Sequence, residues 1–276
     1  MRRRITANLL KAFTLVVGFA ALAAGFGWLI GSGRTASLFA FCSLLAAIAV
    51  YWIGDRALLG MLGARPFALA EDPLLRSATD RISAQLGVAA PKLYLIDDGF
   101  PRAFVVGRGP GSSTLAVSAG LLRSARREEL EAMIAHELAH VRCLDVLTQT
   151  FAVLIATTLM ETSRVGGFLS RALLFVLAPL GAAFTHVLLS PKREYAADRD
   201  AATVCDPHDV AEALIRLDRA AELVSFAASP ATEPLYPIDP FEPDRVSRMF
   251  RTHPPLTERV RRLRALGSGG ETTAVP

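Results

Sequence analysis

The sequence predicts an α+β protein, mainly helical, with a small antiparallel sheet and about four membrane-spanning helices. Three observations predict it. The chain of 276 residues is 52% hydrophobic and only 20% charged, which is more apolar than a soluble domain of this length. Four apolar runs carry few or no charges. Three short β-rich runs lie close together between Pro, Gly and Ser turns.

Ala12–Gly31 and Ala36–Gly54 are uncharged and have about the 20 residues that a spanning helix needs. They predict an N-terminal hairpin over 1–54. Its length and the second run close behind it set the first run apart from a cleaved signal peptide. Residues 55–145 follow as a first soluble block. Here an amphipathic helix near Leu74–Leu86 precedes "KLYLI", "AFVV" and "TLAVS", which read as strands. A helix from Arg127 follows, with acidic residues in its first turn as the helix dipole favours. Residues 146–191 hold the other two apolar runs. Val146–Met160 is shorter and carries Gln149, whereas Ala172–Pro191 is uncharged and contains Pro179 and Gly181, which membrane helices tolerate. A second soluble block, 192–266, contains helices near Lys192–Ala202, Pro207–Ala228 and Pro255–Leu266. The tail 267–276, "GSGGETTAVP", reads as disordered.

The basic residues flank these runs: "MRRR" and Lys11 before the first, Arg56 and Arg65 after the second, Lys192 and Arg193 after the last. The positive-inside rule places the N-terminus and both soluble blocks in the cytoplasm. A net charge of +4 without a basic stripe interleaved with aromatics excludes a nucleic-acid partner. Three scattered cysteines, Cys42, Cys143 and Cys205, form no disulfide framework and fit a reducing compartment.

The chemistry lies in "AHELAH". On a helix, His136 and His140 stand one turn apart on one face and can reach a single metal ion. Glu137 lies about 100° round the same helix. A zinc ion with three protein ligands keeps a fourth position for water and lowers the pKa of that water to about 7, so Glu137 is placed to accept the proton. A third ligand is required. Cys143, His186, His208 and Glu194 are the candidates. Cys143 would put all three ligands along one straight helix, a poor match to a tetrahedral ion. Glu194 in "REYAADRDA" is favoured, because Asp198 one turn later can hold a ligand imidazole by its other ring N–H.

These motifs together resemble the HtpX family of integral-membrane zinc peptidases, relatives of the CAAX prenyl endopeptidase. The resemblance runs from about Pro91 to Arg261, through "PKLYLIDDGFPRAFVVG", "VSAGLL", "EELEAMIAHELAHV", Asp145, "REYAADRDA" and "HPPLTERV". It implies a gluzincin-type domain holding one zinc per chain. It also implies an active site facing the cytoplasm of a multi-pass protein in the bacterial inner membrane, and an activity in quality control of misfolded or damaged membrane proteins. It further implies His136, His140 and Glu194 as ligands, Glu137 as base, Asp198 behind the ligands, and His253 with Arg259 at the oxyanion side. Two positions depart from the family pattern: Arg102 stands where Asn is usual, and Cys143 where a polar residue is usual. The stretch Arg102–Gly107, with Arg102, Ala103, Phe104 and Val105 foremost, is the candidate edge strand on which an extended substrate would add. Three rival readings remain. They are an intramembrane metalloprotease, disfavoured by the charges from Arg126 to Glu131, a CAAX-type prenyl-protein endopeptidase, and a non-catalytic scaffold with structural zinc. The oligomeric state is not legible.

Overall fold

The structure, a computed structural model, describes residues 2–68, 72–165, 170–223, 228–241 and 244–268. Most of the expected tail, 269–276, and residues 166–169, between the two later apolar runs, lie outside the described residues.

Two long helices, α1 (Arg2–Ile30) and α2 (Gly33–Met61), form the N-terminal hairpin. Close packing near its turn depends on Gly27, where a Cβ would sit 2.8 Å from the Thr35 carbonyl oxygen. Phe13, Leu22, Trp28 and Trp52 point outward, a surface suited to lipid rather than water. The helix α2 runs past Gly54 to Met61 and buries Leu58 and Leu59 against the sheet, so the membrane hairpin and the soluble block share one continuous helix.

The sheet contains β1 (Ala64–Pro66), β2 (Lys92–Ile96), β3 (Ala103–Gly109) and β4 (Ser112–Ser118), in the order β1-β2-β4-β3. It is mixed, which corrects the expected antiparallel sheet: β2 pairs parallel with β4, while β1–β2 and β3–β4 are antiparallel. The reason lies in the segment 97–102. It makes no hairpin but crosses the end of β4, held by bonds from Ser118 Oγ to the Phe100 carbonyl (2.7 Å) and from Arg102 N to Ser118 Oγ (2.9 Å). The crossing loop packs so closely on Gly120, beside the Gly99 carbonyl, that no side chain fits there. The strand β1 escaped the sequence reading because three residues give no measurable alternation.

Both faces of the sheet are covered. On one, Leu95, Val105, Leu115 and Val117 pack on α3 (Pro73–Leu86), α5 (Arg127–Arg142) and α9 (Pro207–Leu223). On the other, Phe104, Val106 and Ala116 meet the end of α2, Val153 of α6 (Asp145–Val165), and Leu235 and Tyr236 at a 3-10 turn, Pro230–Leu235. The helix α3 starts where its sequence predicts: Asp72 accepts from Leu74 N and Leu75 N, Pro73 takes the first position, and Gly87 ends it at φ 71°. The remaining helices are α4 (Ala119–Ser124), α7 (Ser170–Leu188), α8 (Lys192–Ala201), α10 (Ser247–Phe250) and α11 (Leu256–Gly267).

Among the described residues, α1 from Ile5 and α2 are the two helices long and apolar enough to cross a membrane alone. The helices α6 and α7 pass the same test only with α5 and α8, across bends of 92° and 51°. The fold therefore has two clear membrane-capable helices where the sequence suggested about four.

Candidate metal centre

The helix α5 begins at a reciprocal clasp: Glu129 accepts from both Arg126 N and Arg126 Nε at 2.9 Å. From there an almost wholly buried helix carries His136, Glu137 and His140 under the sheet. Their one-turn spacing sets the two imidazoles edge to face, 5.0 Å between centroids. It is the packing of α8 beside α5 that brings up the carboxylate. Glu194 Oε2 lies 3.3 Å from His136 Nε2, and Oε1 lies 3.7 Å from His140 Nε2. One ligand atom from each of these three residues falls within 4.8 Å of the others.

This trio fits a cation. His136 Nε2 and Glu194 Oε2 are buried without a hydrogen-bond partner, a costly state that a shared ion resolves. Burial opposes the charge on Glu194, but His253, Arg193 and His140 outweigh it and hold the carboxyl well below its usual range. Burial also opposes a charged His136. Asp198 and Glu194 outweigh that and raise the ring to about 9, so a metal ion and a proton compete for it.

Supporting contacts surround the trio. Asp198 Oδ1 lies 3.0 Å from His136 Nδ1. Arg259 grips Asp198 with two bonds of 2.7 Å, from Nε and Nη2, and its Nη1 donates to the Pro237 carbonyl. The resemblance implied an oxyanion-side position for Arg259; its donors go to Asp198 and Pro237, and Nη2 also lies 3.8 Å from Glu194 Oε2. His253, by contrast, reaches the centre. Its Nε2 lies 3.7 Å from Glu194 Oε2, and its Nδ1 lies 2.6 Å from Glu233 Oε1. Glu137 is buried, which pushes its carboxyl up to about 8, and its Oε2 accepts from Val105 N at 3.0 Å.

That last bond bears on the candidate substrate edge. The strand β3 ends the ladder, yet Ala103, Phe104, Val105 and Val106 are fully buried. The outward amides of Val105 and Gly107 are held by Glu137 and by Thr150 Oγ1 (3.1 Å). Arg102 is also buried, paired with Asp98 and 3.5 Å from the Tyr236 hydroxyl. Of the other ligand candidates, Cys143 caps the end of α5, His186 Nε2 lies 2.8 Å from the Met249 carbonyl, and His208 opens α9. None of them joins the trio.

Two residues of this surround were missed in the sequence. Glu233 sits in a Pro-rich turn with no periodicity; its signal is a lone acid within the apolar "ATEPLYP". Asn8, on α1, donates to Asp145 Oδ1 at 2.6 Å and to the Cys143 carbonyl at 3.2 Å. Asp145 Oδ2 in turn lies 3.5 Å from His140 Nδ1. A buried amide at the start of a lipid-facing helix is itself a pointer to function.

Residues 69–267, most of the chain, match Peptidase family M48. The chain belongs to that family. A protease HtpX homolog of Acidiphilium cryptum (strain JF-5) is 35% identical, covering 93% of this chain and 96% of that protein. The protease HtpX homolog of Pyrococcus abyssi (strain GE5 / Orsay) is 33% identical, covering 93% and 95%. A crystal structure of S. mikatae Ste24p shares 16% identity at a TM-score of 0.49, covering 95% of this chain and 66% of that one. This M48 peptidase is thus an HtpX-like integral membrane metallopeptidase, in a family that uses zinc.

Proposed function

We propose that this M48 peptidase is a zinc endopeptidase that cleaves unfolded or damaged membrane proteins on the cytoplasmic side, as a proteolytic quality-control enzyme of the bacterial inner membrane. The observation that carries the reading is the trio His136, His140 and Glu194, with orphaned buried atoms and Glu137 one residue along the same helix. These three residues hold one zinc, Glu137 is the base, and the two blocks 55–145 and 192–266 act as one peptidase domain between membrane hairpins. A closed structural zinc site would need a fourth protein ligand, and the group contains three among the described residues.

Zinc held there supplies Lewis-acid polarisation of the scissile carbonyl and acidifies a water. The chain does the rest. Asp198 fixes the tautomer and orientation of His136, and Arg259 fixes Asp198; Asp145, tied to Asn8, serves His140 in the same way. Glu137 takes the proton from water and passes it to the leaving amine. Adding a substrate strand to β3 requires Glu137 to release Val105 N, so one movement frees both the base and a backbone donor. His253 donates from Nε2 to the carbonyl oxygen as it gains charge. Because Nδ1 already faces the Glu233 carboxylate, that donation requires the doubly protonated ring, and Glu233 is its counter-ion. Burial opposes a charged Glu233, yet His253 and Thr252 hold its pKa lowered.

Turnover of casein by the purified protein, with and without a chelator and alongside zinc analysis, tests the reading. A full zinc complement without chelator-sensitive cleavage would leave the structural-scaffold reading in its place. A reporter active only outside the cytoplasm, fused after Pro276, is expected to stay silent; strong activity would reverse the orientation.

His253→Phe is expected to retain zinc and lose on the order of 10²–10³ in kcat, the usual cost of one oxyanion donor. Glu233→Gln removes the counter-ion without emptying the space and should show the same pattern, a fall in kcat with KM little changed. Steady-state kinetics on one detergent-solubilised substrate decide it; loss of zinc from His253→Phe would make that residue a ligand instead.

A further inference from the structure

Between α1 and α7 runs a groove of about 630 Å³, walled by apolar side chains that include Leu15, Phe19, Leu180 and Val187. Its one charged wall residue is Lys11. At that end a second cavity of about 220 Å³ opens, sharing Ala7, Lys11 and Leu188 with the groove. It is more polar than the groove: Asn8, Asp145, Thr148, Ser190, Lys192 and Arg193 line it.

Three cations line this cavity, of which Arg193 is engaged with Gln149, the Pro234 carbonyl and Glu194, leaving Lys11 and Lys192. Lys11 gives one hydrogen to the Leu188 carbonyl at 2.9 Å, which pins the ammonium in place and leaves two donors. Lys192 is exposed, and among the described residues neither lysine pairs with an acid. Lys11 is the last charge before one uncharged run, and Lys192 is the first charge after another. Both therefore stand at an apolar–polar boundary, where cationic side chains meet lipid headgroups.

We propose that groove and cavity form one binding site for an anionic phospholipid, with an acyl chain along α1 and α7 and the phosphate between Lys11 and Lys192. A soluble anion would fill the polar cavity and leave the groove unexplained. A helix of a membrane protein about 10 Å across and 30 Å long occupies on the order of 2,000 Å³, well above the volume of the groove, whereas a single acyl chain is slender enough to enter. Arg193 also lines the cavity, and Asp145, the one acid in its wall, is held by Asn8; this pair reaches His140.

The full chain in neutral detergent, titrated with fluorescent phosphatidylglycerol and separately with phosphatidylcholine, tests this without any turnover measurement, so failure here leaves the peptidase reading standing. Saturable binding that favours phosphatidylglycerol is expected. The double variant Lys11→Gln/Lys192→Gln should weaken it roughly tenfold to thirtyfold, as loss of two lysines near an anionic headgroup implies. Gly18→Leu should weaken it too, because Gly18 lines the groove and a Cβ there meets no atom within 4 Å. Inorganic phosphate at millimolar concentration should not displace the lipid. Wild-type zinc content and monodisperse elution certify each variant. If the double variant does not fold, Lys192→Gln alone, at an exposed side chain, should still give a measurable loss. Equal affinity for the two lipids, unchanged binding in the variants, displacement by phosphate alone, or displacement by an apolar membrane peptide would each overturn the proposal.

Discussion

Glu137→Gln is expected to leave zinc bound at about one per chain and to cut turnover by on the order of 10²–10⁴, the usual contribution of a positioned general base. Glu137 lies on the buried face of α5 and accepts from Val105 N at 3.0 Å. The Gln side-chain oxygen can keep that bond, so the clasp between helix and strand survives. What is lost is the capacity to take a proton. Burial pushes the Glu137 carboxyl up to about 8, which makes it a stronger base than an exposed glutamate. Metal analysis beside single-turnover hydrolysis of casein separates the two effects, and wild-type rates in the Gln variant would remove Glu137 from the mechanism.

The second large effect is expected at Glu194. Glu194→Ala removes one of three converging ligands and should empty the site at micromolar free zinc. It also leaves the buried Arg193, 2.9 Å from Glu194 Oε1, without that anion. Uncompensated buried charge costs about 3–5 kcal/mol, so Glu194→Gln, of similar volume, is the companion variant for folding. Cys143→Ser should bind zinc as wild type does, since Cys143 lies outside the trio. Asp198→Asn is expected to lose roughly 10–100-fold in zinc affinity, the usual effect of a partner behind a ligand. Metal titration of the four proteins against a chromophoric chelator decides the matter. A site emptied by Cys143→Ser and retained in Glu194→Ala would show that the third ligand had been misassigned.

The comparison of sequence with structure turns on the range of each contact. His136, Glu137 and His140 were legible because a helix repeats every 3.6 residues, so five consecutive letters fix which side chains share a face. The amphipathic helix near Leu74–Leu86 was legible for the same reason, and Asp72, Pro73 and Gly87 bound it within one turn of each end. The contacts of Arg259 were not. Its partner Asp198 is 61 residues away, and nothing local distinguishes a guanidinium aimed at substrate from one aimed behind a ligand. The expected all-antiparallel pairing failed similarly. Alternation marks "KLYLI" and "TLAVS" as strands, but their parallel pairing depends on a loop crossing that period-2 patterning does not encode.

The sequence by itself determined the chemistry: two histidines and a glutamate on one helix turn, a Glu and an Asp one turn apart further on, and apolar runs long enough to span a bilayer. Tertiary structure alone decided how those pieces support one another. It joined Glu233 to His253 across 20 residues and Asn8 to Asp145 across 137. It also closed the outward edge of β3 with Glu137 and Thr150. Periodicity records which way a side chain faces on its own element. Which element packs against it is set by burial of apolar surface over the whole chain, and that sum is readable only once the helices and the sheet have come together.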